Sequence, residues 1–165
     1  MAANPEFTLV EPRTAGELDA IRRLMREYEA WLGVDLCFQG FEHELATLPG
    51  DYAPPSGRLF LALNRGAAAG CVALRRQDAG SGEMKRLYVG NAFRGRGVGR
   101  SLAQRVIGAA SDAGYVRLLL DTLPKMDGAL ALYRSLGFAP TGRYYANPLP
   151  DAIYLSLDLT ADARK

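Results

Sequence analysis

The spacing of apolar residues changes several times along this chain, and each change marks an element. From Leu18 to Leu32 the apolar positions Leu18, Ile21, Met25, Tyr28 and Leu32 recur every three or four residues, which predicts an amphipathic helix. Thr14, followed three residues later by Glu17, has the capping-box spacing that opens such a helix. Thr8-Leu9-Val10 ahead of it reads as a short strand, and Phe41, Leu45 and Leu48 mark a second, shorter helix. Three prolines and two glycines make 49–57 a loop. Leu59–Leu63 and Ala67–Leu74 are apolar runs joined by Asn64-Arg65-Gly66, a hairpin. Glu83–Val89 has the length and aliphatic-aromatic content of a strand. Val98, Leu102, Val106, Ile107, Ala110 and Ala113 then return to helical spacing over 97–113, with Gly114 placed to cap the end. Val116–Leu120 is a further strand, and Asp127–Leu136 a fourth helix closed by Gly137. Ile153, Leu155, Leu157 and Leu159 alternate with polar neighbours in a last strand, which 144–150 joins to the strand before it.

The order β-α-α-β-β-β-α-β-α-β-β predicts a mixed α/β (α+β) fold. Strands joined by a tight turn are antiparallel, and a strand-helix-strand passage favours parallel pairing, so the sheet is mixed and carries helices on both faces. With 165 residues and no linker or repeat, residues 1–165 read as a single domain with a sizeable core.

Composition narrows the function. Apolar residues make up 48% and charged residues 23%, the profile of an ordinary globular protein. A net charge of +2 gives no concentrated basic face, so no nucleic-acid partner is expected. No apolar run approaches the ~18 residues of a membrane span. The segment Met1–Glu6 lacks the basic-then-apolar pattern of a secretory leader, which makes a cytoplasmic location the expectation. Cys37 and Cys71 are too few for a disulfide framework or a zinc site and read as buried free thiols; no metal is expected.

The chemistry concentrates at Arg94-Gly95-Arg96-Gly97-Val98-Gly99, where a strand hands over to a helix. Free N–H groups at a helix N-terminus bind phosphate oxygens, and glycine lets the backbone approach them. The spacing lacks the lysine and hydroxyl of a Walker A loop, and Arg100 stands where a dinucleotide fingerprint needs its third glycine. What remains is Arg/Gln-x-x-Gly-x-Gly/Ala, matched by Arg94, Gly97 and Gly99.

From Glu83 to Phe138 the chain resembles the acyl-CoA-binding half of the GNAT superfamily of N-acetyltransferases. The strand ending Leu87-Tyr88-Val89 stands just ahead of the loop, and Val116–Leu120 follows the helix. Ala129-Leu130-Ala131-Leu132-Tyr133-Arg134-Ser135-Leu136-Gly137-Phe138 resembles the family's A-x-x-L-Y-x-x-x-G-F helix end. The resemblance implies a central mixed sheet of about seven strands, two of them splayed to form an acyl-CoA cleft. It also implies acetyl-CoA as cosubstrate and direct transfer of the acetyl group to a primary amine on a small molecule or peptide; a homodimer is common in the family. Two alternatives remain: transfer of a different acyl group, or a CoA-binding sensor without turnover.

Site residues follow from the same resemblance. Backbone N–H groups from Gly95 to Gly99 would hold the diphosphate, and Arg94, Arg96 and Arg100 either add side-chain contacts or lie on a solvated helix end. A backbone N–H of Leu87, Tyr88 or Val89 would hold the thioester carbonyl. Tyr133 would protonate the departing thiolate while its ring packs in the core. Glu83 is either a general base or a strand-end partner of Lys85. His43 is a candidate substrate contact, Tyr28 and Trp31 are core or rim aromatics, and the 144–150 loop could close over the acceptor. Two positions depart from the family pattern: Asn91 replaces a proline, and Met126 replaces a cofactor-contacting asparagine.

Overall fold

The computed structural model describes residues 6–36 and 40–160, so Cys37 lies outside the described residues. In chain order the elements are β1 (Phe7–Val10), α1 (Ala15–Leu32), α2 (Phe41–Thr47), β2 (Arg58–Asn64), β3 (Ala67–Arg76), β4 (Ser81–Val89), α3 (Val98–Asp112), β5 (Arg117–Thr122), α4 (Asp127–Ser135), β6 (Ala139–Pro140) and β7 (Ile153–Asp158). The strands form one seven-stranded sheet in the order β1-β2-β3-β4-β5-β7-β6. Only β4 and β5 pair in parallel, as the helical crossover between them requires; every other pair is antiparallel.

The local signals act as their chemistry dictates. The Thr14 hydroxyl accepts from the Glu17 N–H at 3.1 Å, and the Glu17 carboxylate accepts from the Thr14 N–H, which closes the capping box. Arg65 and Gly66 both have positive φ, the requirement of a two-residue hairpin turn that matches strand twist. β6 is only two residues long, Ala139 and Pro140, and the Thr141 N–H beyond it still donates to the Tyr154 carbonyl at 2.9 Å. β5 runs two residues past the predicted Leu120, through Asp121 to Thr122, since its antiparallel pairing with β7 continues to Thr122↔Ile153.

Period-2 alternation sends successive side chains to opposite faces, so the sheet carries two cores. Val98, Leu102, Val106 and Ile107 of α3, with Leu130 and Tyr133 of α4, pack on Phe60, Val72, Leu118 and Leu120. On the other face Ile21, Leu24 and Met25 of α1, with Phe41 and Leu45 of α2, pack on Leu59, Leu61, Cys71 and Tyr88. Cys71 is a fully buried free thiol, and burial pushes its pKa up to about 12. Among the described residues no helix is long and apolar enough to cross a membrane, and no group of three or more His, Cys, Asp or Glu side chains is arranged to hold a metal.

Leu102 is fully buried between α3 and the sheet. Leu102→Ala is expected to lower unfolding free energy by about 2–5 kcal/mol, read by denaturant titration with an unchanged slope.

Candidate active site

The site begins where two strands part. β4 and β5 pair at Ser81↔Arg117, Gly82↔Leu118 and Glu83↔Leu119 and no further, although β4 continues to Val89 and β5 to Thr122. Beyond Glu83 the two facing edges diverge, and their backbone N–H and C=O groups have no strand partner across the gap.

A bulge shapes the β4 edge. Cys71 pairs with Tyr88 and Ala73 with Lys85, so two steps along β3 answer to three along β4. The extra residue falls at Arg86, whose φ of 61 is left-handed, an uncommon state for a large side chain. Contacts on every side hold it there. Arg86 Nε and Nη2 donate to the two carboxylate oxygens of Glu44 on α2 at 2.9 and 2.8 Å, in a buried bidentate pair. Its guanidinium lies 5.2 Å from the Phe41 ring centroid, and its carbonyl accepts from the Cys71 thiol at 3.4 Å. Burial alone would raise the Glu44 carboxyl, but the hydrogen bonds and charge of Arg86 outweigh it and hold the carboxyl below its ordinary range.

After Gly90 one 3-10 turn, Asn91–Phe93, leads to the glycine-rich segment. Gly95 and Gly97 have φ of 79 and 82, and a Cβ at either would meet nothing within 4 Å. Conformation and not space therefore demands glycine there. Gly97 is the N-cap of α3, and Gly97, Val98 and Gly99 at the start of that helix line a cleft of about 420 Å³. Leu87, Tyr88, Val89, Arg94, Gly95, Gly97, Val98 and Gly99 line this cleft, facing Trp31, Lys125, Met126 and Gly128. Arg94 sits with its guanidinium 4.9 Å from the Trp31 ring and 5.5 Å from the Tyr88 ring, and its Nε donates to the Val89 carbonyl at 2.9 Å. Lys125 Nζ donates to the Leu32 carbonyl, tying the approach of α4 to the end of α1. Arg96 and Arg100 do not line the cleft: Arg96 lies 3.7 Å from Glu6, and Arg100 donates to the Ser135 hydroxyl at 2.7 Å.

A second, more enclosed cavity of about 50 Å³ fills the gap between the strands. Leu87 and Met126 line both spaces, which therefore meet at those residues. Tyr133 reaches the enclosed cavity from α4, Tyr28 from α1, Lys85 from β4 and Asp121 from β5. Burial, with Tyr28 and Asp121 nearby, pushes the Tyr133 pKa up, so its hydroxyl stays protonated across the neutral range. The Tyr28 pKa is pushed up to about 12, first by burial. Burial lowers the Lys85 pKa, an effect that the negative charge of Glu83 opposes.

Glu83 lies at the root of the gap and is completely buried. Its Oε1 accepts from Arg75 Nε at 2.8 Å and its Oε2 from the Tyr144 hydroxyl at 2.6 Å; neither cavity is lined by it. One residue along the same loop, the Tyr145 hydroxyl donates to Asp121 Oδ2 at 2.6 Å. The 144–150 loop is thus tied to a carboxylate on each of the two parting strands. His43 stands apart, in a polar hollow of about 300 Å³ with Glu44, Asp51, Tyr52 and Arg75. Spacing marks neither Asp121 nor Lys125 as a site residue, whereas Met126 stands at the position of the family's cofactor-contacting asparagine and Lys85 beside Glu83. The available signal was Asp121, a charge that continues the apolar run Leu118-Leu119-Leu120. Met126, where the family pattern has asparagine, accepts from the Thr122 hydroxyl through its sulfur at 3.4 Å.

Residues 19–138 match the model of the acetyltransferase (GNAT) family. The chain is 39% identical over 146 residues to an uncharacterized N-acetyltransferase of Schizosaccharomyces pombe, covering 87% of this chain and 90% of that protein. A GNAT-family acetyltransferase from Staphylococcus aureus superposes with a TM-score of 0.80 at 18% identity, over 93% of this chain and 99% of that one. The PaiA N-acetyltransferase from Thermoplasma acidophilum in complex with coenzyme A superposes with a TM-score of 0.74 at 13% identity, over 92% and 98% of the two chains. At these identities the two structures establish the fold.

The Glu44–Arg86 pair has a signed pH dependence. A carboxyl held low in the folded state stabilises fully above its unfolded pKa and loses that contribution as pH falls through the folded value. Glu44→Ala, which leaves Arg86 buried and unpaired, is expected to cost about 3–5 kcal/mol at pH 7. The stability difference between wild type and Glu44→Gln should shrink as the pH of the denaturation series falls through the acid range.

Proposed function

The chain belongs to the acetyltransferase (GNAT) family, and from that premise we propose that it transfers an acetyl group from acetyl-CoA to a primary amine. The observation that carries this reading is the meeting of two spaces at Leu87 and Met126: a glycine-lined cleft on one side and the Tyr133 cavity on the other. A long, anionic thioester donor suits the first space, and a reacting centre suits the second.

The residues present fit such a donor. N–H groups at the start of α3 have no partner inside the helix, belong to residues that line the cleft and suit phosphate oxygens. Arg94 adds a positive charge on the wall, with Arg96 and Arg100 close by in sequence but outside the lining. A backbone N–H of Leu87, Tyr88 or Val89, on the unpaired edge of β4, is positioned to donate to the thioester carbonyl. Tyr133 supplies a phenol held protonated by burial, placed to give its proton to the sulfur as the C–S bond breaks and the C–N bond forms. Glu83 keeps Arg75 and Tyr144 in place at the root of the gap, beside this chemistry.

Trp31, the only tryptophan, lines the cleft, so acetyl-CoA should change its fluorescence saturably while ATP and NADH at equal concentration do not. An unchanged signal, with no heat of binding by calorimetry, would remove the cofactor assignment. Tyr133→Phe is expected to lower kcat for thiol release in the presence of amines by about 10²-fold or more with acetyl-CoA affinity retained. Binding without thiol release, across amino acids, polyamines and peptides, would favour a CoA sensor over an enzyme.

A further inference from the structure

Resting on the acetyl-transfer reading above, we propose that Asp121 is the carboxylate that receives the acceptor's ammonium group in the gap and takes its proton, with Tyr145 and Asn147 as the residues that position it. An alkylamine is protonated at neutral pH and has no lone pair to attack with until it loses that proton. A carboxylate at the reacting centre can accept it.

Position comes first. Asp121 follows Leu119, the last β5 residue paired to β4, by two residues, so it lies about 6–7 Å farther along the strand toward the open end. It has the same facing as Leu119, opposite to Leu118 and Leu120, which point into the core under α3 and α4. It lines the enclosed cavity together with Tyr133 and Leu87, the groups assigned to the sulfur and the carbonyl. Glu83 is the competing carboxylate, but it sits at the root, lines neither cavity and has both oxygens engaged by Arg75 and Tyr144.

Orientation comes second. The Tyr145 hydroxyl and Asn147 Nδ2 both donate to Asp121 Oδ2, at 2.6 and 3.2 Å, and Asn147 Nδ2 also lies 2.8 Å from the Tyr145 oxygen. Asn147 Oδ1 accepts from the Leu149 N–H at 2.9 Å, which locks the amide to its own loop. One carboxylate oxygen is thereby fixed by two donors on a loop; neither of these donors bonds the other oxygen, Oδ1, which is assigned to the amine. Tyr145 stays protonated, because burial and the adjacent Asp121 charge both push its pKa up, so it serves as a donor throughout. The other ionisable groups around Asp121 are Lys85 and Arg86 from β4, which line the same cavity, Tyr28 from α1, Tyr133 from α4, Tyr144 from the loop and Tyr154, its Cα partner on β7.

The proton step is simple in its balance. One N–H bond of the ammonium group breaks, an O–H bond forms on Asp121, and the electron pair stays on nitrogen. That pair forms the C–N bond as the C–S bond breaks and its electron pair passes to sulfur, which takes the Tyr133 proton. The second proton that nitrogen loses in becoming an amide restores the Tyr133 phenol, and the proton on Asp121 leaves to solvent before the next cycle.

Two measurements test the assignment. In protein labelled with carboxyl-¹³C aspartate, the Asp121 resonance is identified by its loss in Asp121→Asn. It is expected to shift saturably with n-butylammonium chloride and not with n-butanol; no shift with either would overturn the proposal. In the transfer assay, Asp121→Asn is expected to lower kcat/KM for n-butylamine by about 10²–10⁴-fold. Transfer to hydroxylamine, which is largely neutral at pH 7 and needs no deprotonation, should fall by less than about tenfold, a far smaller loss than a general base supplies. Equal losses with both nucleophiles, or no loss with either, would overturn the role. If the wild type acetylates neither nucleophile, the acetyl-transfer reading itself is in question, and the ¹³C titration still decides whether Asp121 receives an ammonium group.

Discussion

The site depends on a parallel pairing that stops after three residue pairs. β4 and β5 are locked together from Ser81 to Glu83 and then separate, while each keeps its outer neighbour, β3 on one side and β7 on the other. A sheet that parts in its middle exposes two edges of backbone polar groups, an arrangement normally costly when buried. Several contacts hold the root closed against that cost. Arg117 donates to the Ser81 hydroxyl at 2.9 Å, the Val116 N–H to the Gly80 carbonyl at 2.9 Å, and the Tyr115 ring lies where a side chain at Gly82 would have to go.

Strain and loop contacts then fix the shape of the opening. The β4 bulge keeps a bulky Arg86 in a left-handed conformation, and α2 stabilises it through a buried bidentate ion pair. A helix on the α1 side thus sets the β4 edge that faces the gap. The 144–150 loop spans the split from the same side. Tyr144 binds Glu83 on one strand and Tyr145 binds Asp121 on the other, and both rings pack with Tyr154. A displacement of either strand therefore disturbs the hydrogen bonds of the other through one short segment.

Burial assigns the protonation states. Desolvation disfavours charge on the tyrosines, so Tyr133, Tyr144 and Tyr145 are held protonated, and the latter two donate to Glu83 and Asp121. Neutral phenols and two carboxylates thereby meet around one opening.

The amino-acid sequence by itself determined the order of elements, the glycine turn at the head of α3 and the placement of Tyr133, because these rest on short-range periodicity, capping and a compact motif. The capping box at Thr14, the hairpin at Arg65-Gly66 and the positive φ of Gly97 are each written within four residues of chain. Tertiary structure alone decided the bulge, the Glu44–Arg86 pair and the meeting of Asp121 with Tyr145, since these join residues separated by 42 and 24 positions and depend on which strands become neighbours. It also decided which arginines face the cleft. Three arginines close together in sequence look alike there, and only the packing of Trp31 and Tyr88 against Arg94, with Glu6 beside Arg96 and Ser135 beside Arg100, sends one inward and the others out.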